Sequence, residues 1–236
     1  MRRRNFIAGL ASAAAAWPVA ARTQQPERVR RIGVLIPTAD DQETRIRLTT
    51  FQQTLEGLGW TDGRNVHIDT RLSAGNAADT RKYAAELAAL APDVILATGS
   101  AGLPAVLQAT QTVPIVFVLV PDPVGSGFVH SLSQPGGNAT GFMMFDYNLC
   151  GKWLELLKEI APGVTRAAVL RDPAIVAGIG QFAVIQSVAP SVGVEVIPIN
   201  LGDAAEIRSH PQGRKAGRLA STSANQVRTG DQSQDR

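Results

Sequence analysis

The sequence predicts an α/β protein with a parallel sheet in its first lobe and a shorter second α/β unit behind it. Three observations lead there. Short β-branched runs alternate with amphipathic stretches from Arg31 onward. The alternation pauses over a Gly/Pro-rich stretch, 121–141, and resumes near residue 150. Apolar residues make up 44% of the 236, enough to bury a core, while aromatics are only 5%, too few for a surface that stacks on bases or sugars.

The elements follow in order. Arg31 to Ile36 reads as a buried strand ended by Pro37. Ile46, Leu48, Phe51, Leu55 and Leu58 recur at helical spacing and mark one face of a helix that Gly59 stops. Asn65 to Arg71 is a second strand, and Ala77 to Leu90 a helix with Tyr83, Leu87 and Leu90 on one stripe. Asp93 to Ala97, Ala101 to Thr110 and Pro114 to Val120 read as strand, helix and strand. Strands alternating with helices in this way require a mostly parallel sheet covered on both faces. Beyond the pause, Leu149 to Ile160 reads as a helix, Arg166 to Leu170 as a strand, Phe182 to Ala189 as a helix and Val194 to Ile199 as a strand.

Two α/β lobes imply a cleft between them, and parallel sheets bind ligands beyond their C-terminal strand ends. The candidate positions are Pro37-Thr38, Thr98-Gly99-Ser100 and Pro121-Asp122. Gly99 would let a ligand approach the backbone, and the helix N-terminus behind it suits a carboxylate. Taken from the residues alone, Ser100 reads first as a plain helix cap. Asp122 could receive an ammonium group or could simply turn the chain between two prolines. Asp146 and Tyr147, just before the second lobe, complete the candidate ligand-binding set.

The formal charge of +3 would ordinarily suggest nucleic acid or a membrane surface. Its distribution argues otherwise. Residues 1–23 carry four Arg and no acid, residues 208–236 carry six basic and two acidic residues, and the stretch between has a net charge of −5. Cys150 is the only cysteine, and His67, His130 and His210 lie far apart, so no metal site, no cofactor and no internal disulfide are expected.

Residues 1–23 have the order of an export signal: three arginines, an apolar run from Ile7 to Ala16, then Pro18 and small residues. Cleavage after Ala21 fits best. Arg3-Arg4-x-Phe6-Ile7 also resembles a twin-arginine signal, and both routes stay open. The apolar run is too short for a permanent span, and no cysteine follows it to carry a lipid. The expected location is the periplasm, with no membrane span after cleavage.

The string Val120-Pro121-Asp122-Pro123-Val124-Gly125-Ser126-Gly127, with Ser131-Leu132 and Pro135-Gly136-Gly137-Asn138-Ala139-Thr140-Gly141, resembles ABC-transporter substrate-binding proteins related to tryptophan and tyrosine binders. Arg31-Ile32-Gly33-Val34-Leu35 and the run Trp153 to Pro162 match as well. The resemblance covers residues 1–207 and implies a type I periplasmic-binding-protein fold, with two Rossmann-like lobes holding a small-molecule ligand such as an amino acid between them. It implies an ABC permease as partner and no catalysis. Cys150 stands where the family usually has a small residue and reads as a buried, inert thiol. Against that family the expected division is 1–23 signal, 24–148 first lobe, 149–207 partial second lobe and 208–236 tail.

The tail has its own character. Residues 208–236 show neither helical nor strand period, which reads as a disordered extension. A sharper reading is a frameshift. Gln226 to Arg236 can be encoded so that the frame one base later gives KFELVINLKT, which resembles the family's usual ending. The expectation is a deletion and frameshift near Ile207 that leaves the second lobe incomplete and ligand binding impaired.

Two other function classes fit less well. A dinucleotide enzyme would need G-x-G-x-x-G after the first strand, where Pro37-Thr38-Ala39 stands, and no G-x-S-x-G elbow occurs. A ligand-sensing regulator would need a DNA-binding module before residue 30, where the export signal stands; no nucleic-acid partner is expected.

Overall fold

The computed structural model describes residues 28–201. The expected signal and tail lie outside them.

The first lobe is a five-stranded parallel sheet in the order β2-β1-β3-β4-β5. Its strands are β1 (Arg30–Ile36), β2 (Val66–Leu72), β3 (Val94–Thr98), β4 (Ile115–Val120) and β5 (Ala139–Met143). Helices α1 (Gln42–Gly57), α2 (Ala77–Ala89) and α3 (Gly99–Ala109) connect the first four. On one face Leu35, Ile95, Ile115 and Phe117 bury against Leu87 of α2 and Leu103 and Val106 of α3, forming the main core.

The other face is looser. The spacing of its apolar residues predicts that α1 lays Ile46, Leu55 and Leu58 on the sheet, but Ile46 and Leu58 are 58% and 71% exposed. The helix is instead fixed at its start. Asp41 caps it by accepting the Thr44 N–H at 2.8 Å, and the Thr44 hydroxyl lies 3.1 Å from that of Thr38. Farther along, Leu48 and Phe51 stand across an apolar slot of about 720 Å³ from Val34, Val116 and Val118.

Strand β5 is a finding the sequence did not announce. It begins at the end of the Gly/Pro-rich stretch and pairs with the edge of β4, Phe117 opposite Gly141. The approach is so close that a Cβ at Gly141 would lie 2.0 Å from the Phe117 carbonyl oxygen, so only glycine fits there. Just beyond, the register shifts, and Leu119 takes a left-handed φ of 59°.

The second lobe pairs β6 (Arg166–Arg171) with β7 (Glu195–Asn200) in parallel. Helices α4 (Leu149–Ile160) and α5 (Val176–Val188) pack on it, and a 3-10 turn, Ala189–Val192, leads into β7. Cys150, Leu154, Ile185, Ala189 and Val194 form a separate small core. Helix α5 begins two turns before the Phe182 that the sequence suggested, because Gly178 and Gly180 sit inside it for packing reasons. A Cβ at Gly178 would fall 2.6 Å from the Asp172 carbonyl oxygen, and one at Gly180 would fall 2.3 Å from the Tyr147 ring.

Candidate functional site

The strand order places the site. From β1 the chain goes to β2 on one side, and β3 lies on the other, so the topological switch falls between β1 and β3. A crevice opens where connections diverge from neighbouring strand ends. Pro37-Thr38 follows β1 and Gly99-Ser100 follows β3, which brings two sequence-separated candidates to one point.

Their cavity is closed from above by the second lobe. A space of about 590 Å³ is lined on one side by Thr38, Gly99 and Ser100, with Arg81 of α2, and on the other by Asp172 and Ile175. A groove of about 650 Å³ continues from it past Ser100 and Pro121 to Trp153 of α4, Arg171 at the end of β6, and Phe182 of α5.

Helix α3 begins at Gly99, two residues earlier than a Ser100 cap would require. Thr98 holds the cap position, but its side chain makes no capping bond; the hydroxyl donates instead to the Leu35 carbonyl at 3.2 Å, tying β3 to β1. Ser100 therefore lies in the first turn, with its hydroxyl lining the cleft. The first-turn N–H groups of a helix have no acceptor within it and carry a partial positive charge. Gly99 has φ 67°, a conformation glycine adopts without strain.

Asp122, Asp146 and Tyr147 occupy a different place, the crossing between lobes. Asp122 has a left-handed φ of 35°, and its carboxylate accepts the Gly125 N–H at 2.7 Å and the Tyr147 N–H at 3.3 Å. The Asp146 carboxylate accepts the Asn148 N–H at 2.7 Å. Tyr147 is buried, with its ring against Gly180 and its hydroxyl 2.6 Å from Ser126 Oγ. Burial pushes the Tyr147 phenol above its usual value, against the opposing effect of the Ser126 hydrogen bond. Asp122 and Tyr147 link the lobes, and none of the three is among the residues lining the two cavities above.

Sequence reasoning missed Arg171, Asp172 and Trp153. A strand-end rule applied to β6 would have found the first two. Trp153 carries no such signal; its helical stripe reads as core, yet it is 44% exposed, with an edge-to-face contact to Phe145 at 5.9 Å between ring centres. Among the described residues no helix is long and apolar enough to cross a membrane.

Comparison with known proteins agrees with this geometry. Residues 31–216 match the family described as ABC transporter substrate binding protein. A tyrosine-binding protein of Clostridioides difficile is 30% identical over 157 residues, covering 66% of this chain and 45% of that protein. A conserved domain protein from Vibrio cholerae superposes with a TM-score of 0.68 at 26% identity, over 77% of this chain and 60% of the other. An ABC domain from Streptococcus pneumonia, solved in complex with L-Trp, gives 0.66 at 25% identity, over 76% of this chain and 60% of the other. The chain thus spans about half the length of the curated relative and three fifths of these solved chains. The fold is that of type I periplasmic binding proteins, and the chain belongs to the non-enzymatic family of ABC-transporter substrate-binding proteins.

Proposed function

We propose that this chain is the periplasmic solute-capturing component of an ABC importer, exported by its residues 1–23, and that it takes an amino acid or a similar small solute between its lobes. The observation that carries the reading is the inter-lobe cavity, where Thr38, Gly99 and Ser100 face Asp172 and Ile175. A polar rim with a helix N-terminus on one wall and apolar surface on the other suits a small solute with one charged end. The relatives named for tyrosine and solved with L-Trp support the same class. In this reading Thr38, Gly99 and Ser100 touch the ligand, and Asp122, Asp146 and Tyr147 set the angle between lobes. A permease is the partner that would receive the solute.

Capture should be weak. Among the described residues the second wall rests on two strands, with Leu170 and Leu201 more than half exposed at 58% and 53%. A lobe with so small a core gives up part of the ligand's binding energy to its own ordering. Isothermal titration of the chain from residue 24 against the common L-amino acids and simple aromatic acids tests both statements. The expected result is saturable binding with Kd on the order of 10 µM or weaker, reduced tenfold or more by Ser100→Ala with Thr38→Ala. No binding by any of them would sink the receptor reading; nanomolar binding would sink the claim of weakness.

A further inference from the structure

Resting on the reading of the cleft as a solute site, we infer that the solute carries a carboxylate, that Arg171 of the second lobe receives it, and that its apolar body lies along Trp153.

Arg171 ends β6, where the strand opens into the cleft. Its guanidinium is stacked over the Phe182 ring, 4.7 Å from the centre, and its Nε donates to Asn200 Oδ1 at 3.2 Å. The ring contact and the Nε bond together restrict the position of the guanidinium. The two terminal nitrogens are left as the free end of the fork. Among the described residues no carboxylate makes an ion pair with Arg171. The nearest in sequence, Asp172, has its Oδ1 on the Ala174 N–H at 2.9 Å.

A planar, oriented guanidinium that meets no anion among the described residues and lines a groove is matched to a carboxylate held by two parallel N–H···O bonds. Because it leans on an aromatic ring in a partly enclosed space, the charge is less hydrated than on an open surface, which strengthens an ion pair formed there. The groove beside it is apolar, with Trp153, Leu157 and Ile175 among its lining. Trp153 offers a half-exposed indole face for an aromatic or branched body. Ser100 and the start of α3 face the same space from the first lobe.

The test uses the chain from residue 24 and two probes of equal shape, 3-phenylpropionate and 3-phenylpropanamide, with affinities read by ligand-observed NMR titration. The expected result is at least a tenfold preference for the carboxylate. Arg171→Gln should bring the two probes within twofold of each other while leaving the amide's affinity unchanged, and Arg171→Lys should restore part of the preference. Trp153→Ala should weaken both probes alike. Equal affinity for the two probes in the unaltered chain would overturn this inference and leave the receptor reading standing, as would a preference that survives Arg171→Gln. Failure of both probes, together with the silence of every solute in the wider titration, would overturn both.

Discussion

The Tyr147 hydroxyl lies 2.6 Å from Ser126 Oγ, while its ring lies against Gly180, so one side chain touches both lobes. Ser126 belongs to the loop after β4, and Gly180 to the middle of α5. A partly buried hydroxyl pair of this kind contributes about 1 kcal/mol net. Tyr147→Phe and Ser126→Ala should each lower stability by about that amount, measured by urea unfolding. Both changes remove the same bond, so the double variant should lose little more than either single one. Simple additivity would show that the two hydroxyls do not act as a pair.

Gly180→Ala tests the other side of that ring. Alanine is ordinarily the better helix residue by about 1 kcal/mol. Here its Cβ would stand 2.3 Å from the Tyr147 ring, so the ring must leave and the Ser126 bond must break. The expected loss is about 1–3 kcal/mol. In a Tyr147→Ala background the sign should reverse and Gly180→Ala should stabilise. If it destabilises equally in both backgrounds, the cause lies elsewhere in α5.

Asp93 should govern part of the acid stability of the first lobe. Its carboxylate accepts the Arg31 N–H at 2.9 Å and is met by Arg30 at 2.8 Å and Arg28 at 3.5 Å. The Arg31 backbone bond first, and the Arg30 hydrogen bond next, hold it below its ordinary value of 3.8. A depressed carboxylate contributes stability that is fully present above its unfolded value and is lost as pH falls through the folded one. The loss should therefore fall below about pH 4. A plot of Tm against pH should be flatter there for Asp93→Asn than for the unaltered chain; parallel plots would count against the assignment.

Cys150 should be silent until the second lobe opens. It is fully buried in the smaller core, and burial, with a smaller contribution from Asp146, raises its thiol above the usual range. Only the thiolate is reactive. Titration with a thiol reagent at pH 8 should show no fast reaction in the native chain and one equivalent in denaturant. Because the two cores are separate, the urea dependence of the reaction should report the second lobe alone. Immediate labelling without urea would mean that the small core is not formed.

The coding DNA carries a prediction independent of any coordinate. Similarity to the family continues in the encoded frame to residue 216, beyond Ile207 where the composition changes. The frameshift reading, placed near Ile207, and the plain-extension reading part over 208–236. The frame one base later should read there as a patterned sequence ending like KFELVINLKT. A frame broken by stop codons or lacking apolar periodicity would remove the frameshift from consideration.

Most of the element order was legible because most strands are short apolar runs rich in β-branched residues and the first helices repeat apolar residues at helical spacing. The failures have physical causes. Strand β5 was hidden because Gly141, which reads as a breaker, is what lets β4 approach. The start of α5 was hidden because Gly178 and Gly180 are there to admit the Asp172 carbonyl and the Tyr147 ring, contacts no local window contains. The exposed Ile46 and Leu58 of α1 follow a good helical period yet find no surface, since period reports the side a helix could bury and not whether a partner is present. In the site, Thr38, Gly99 and Ser100 could be located because strand ends are readable in sequence. Arg171 and Trp153 share a groove with Ser100 only through the placement of one lobe against the other, which no spacing along the chain encodes.

Among the described residues the chain passes from the first lobe to the second once, between β5 and α4. Two strands of connection define an axis and restrict motion to a single bending angle; one strand acts as a swivel, free to twist as well as bend. Tyr147 is then less a joint than a pawl, its hydroxyl engaging Ser126 at one setting of that rotation. When it lets go, the crossing keeps the ties of Asp122 to the backbone of Phe145 and Tyr147, and the groove loses one of the contacts that set its facing.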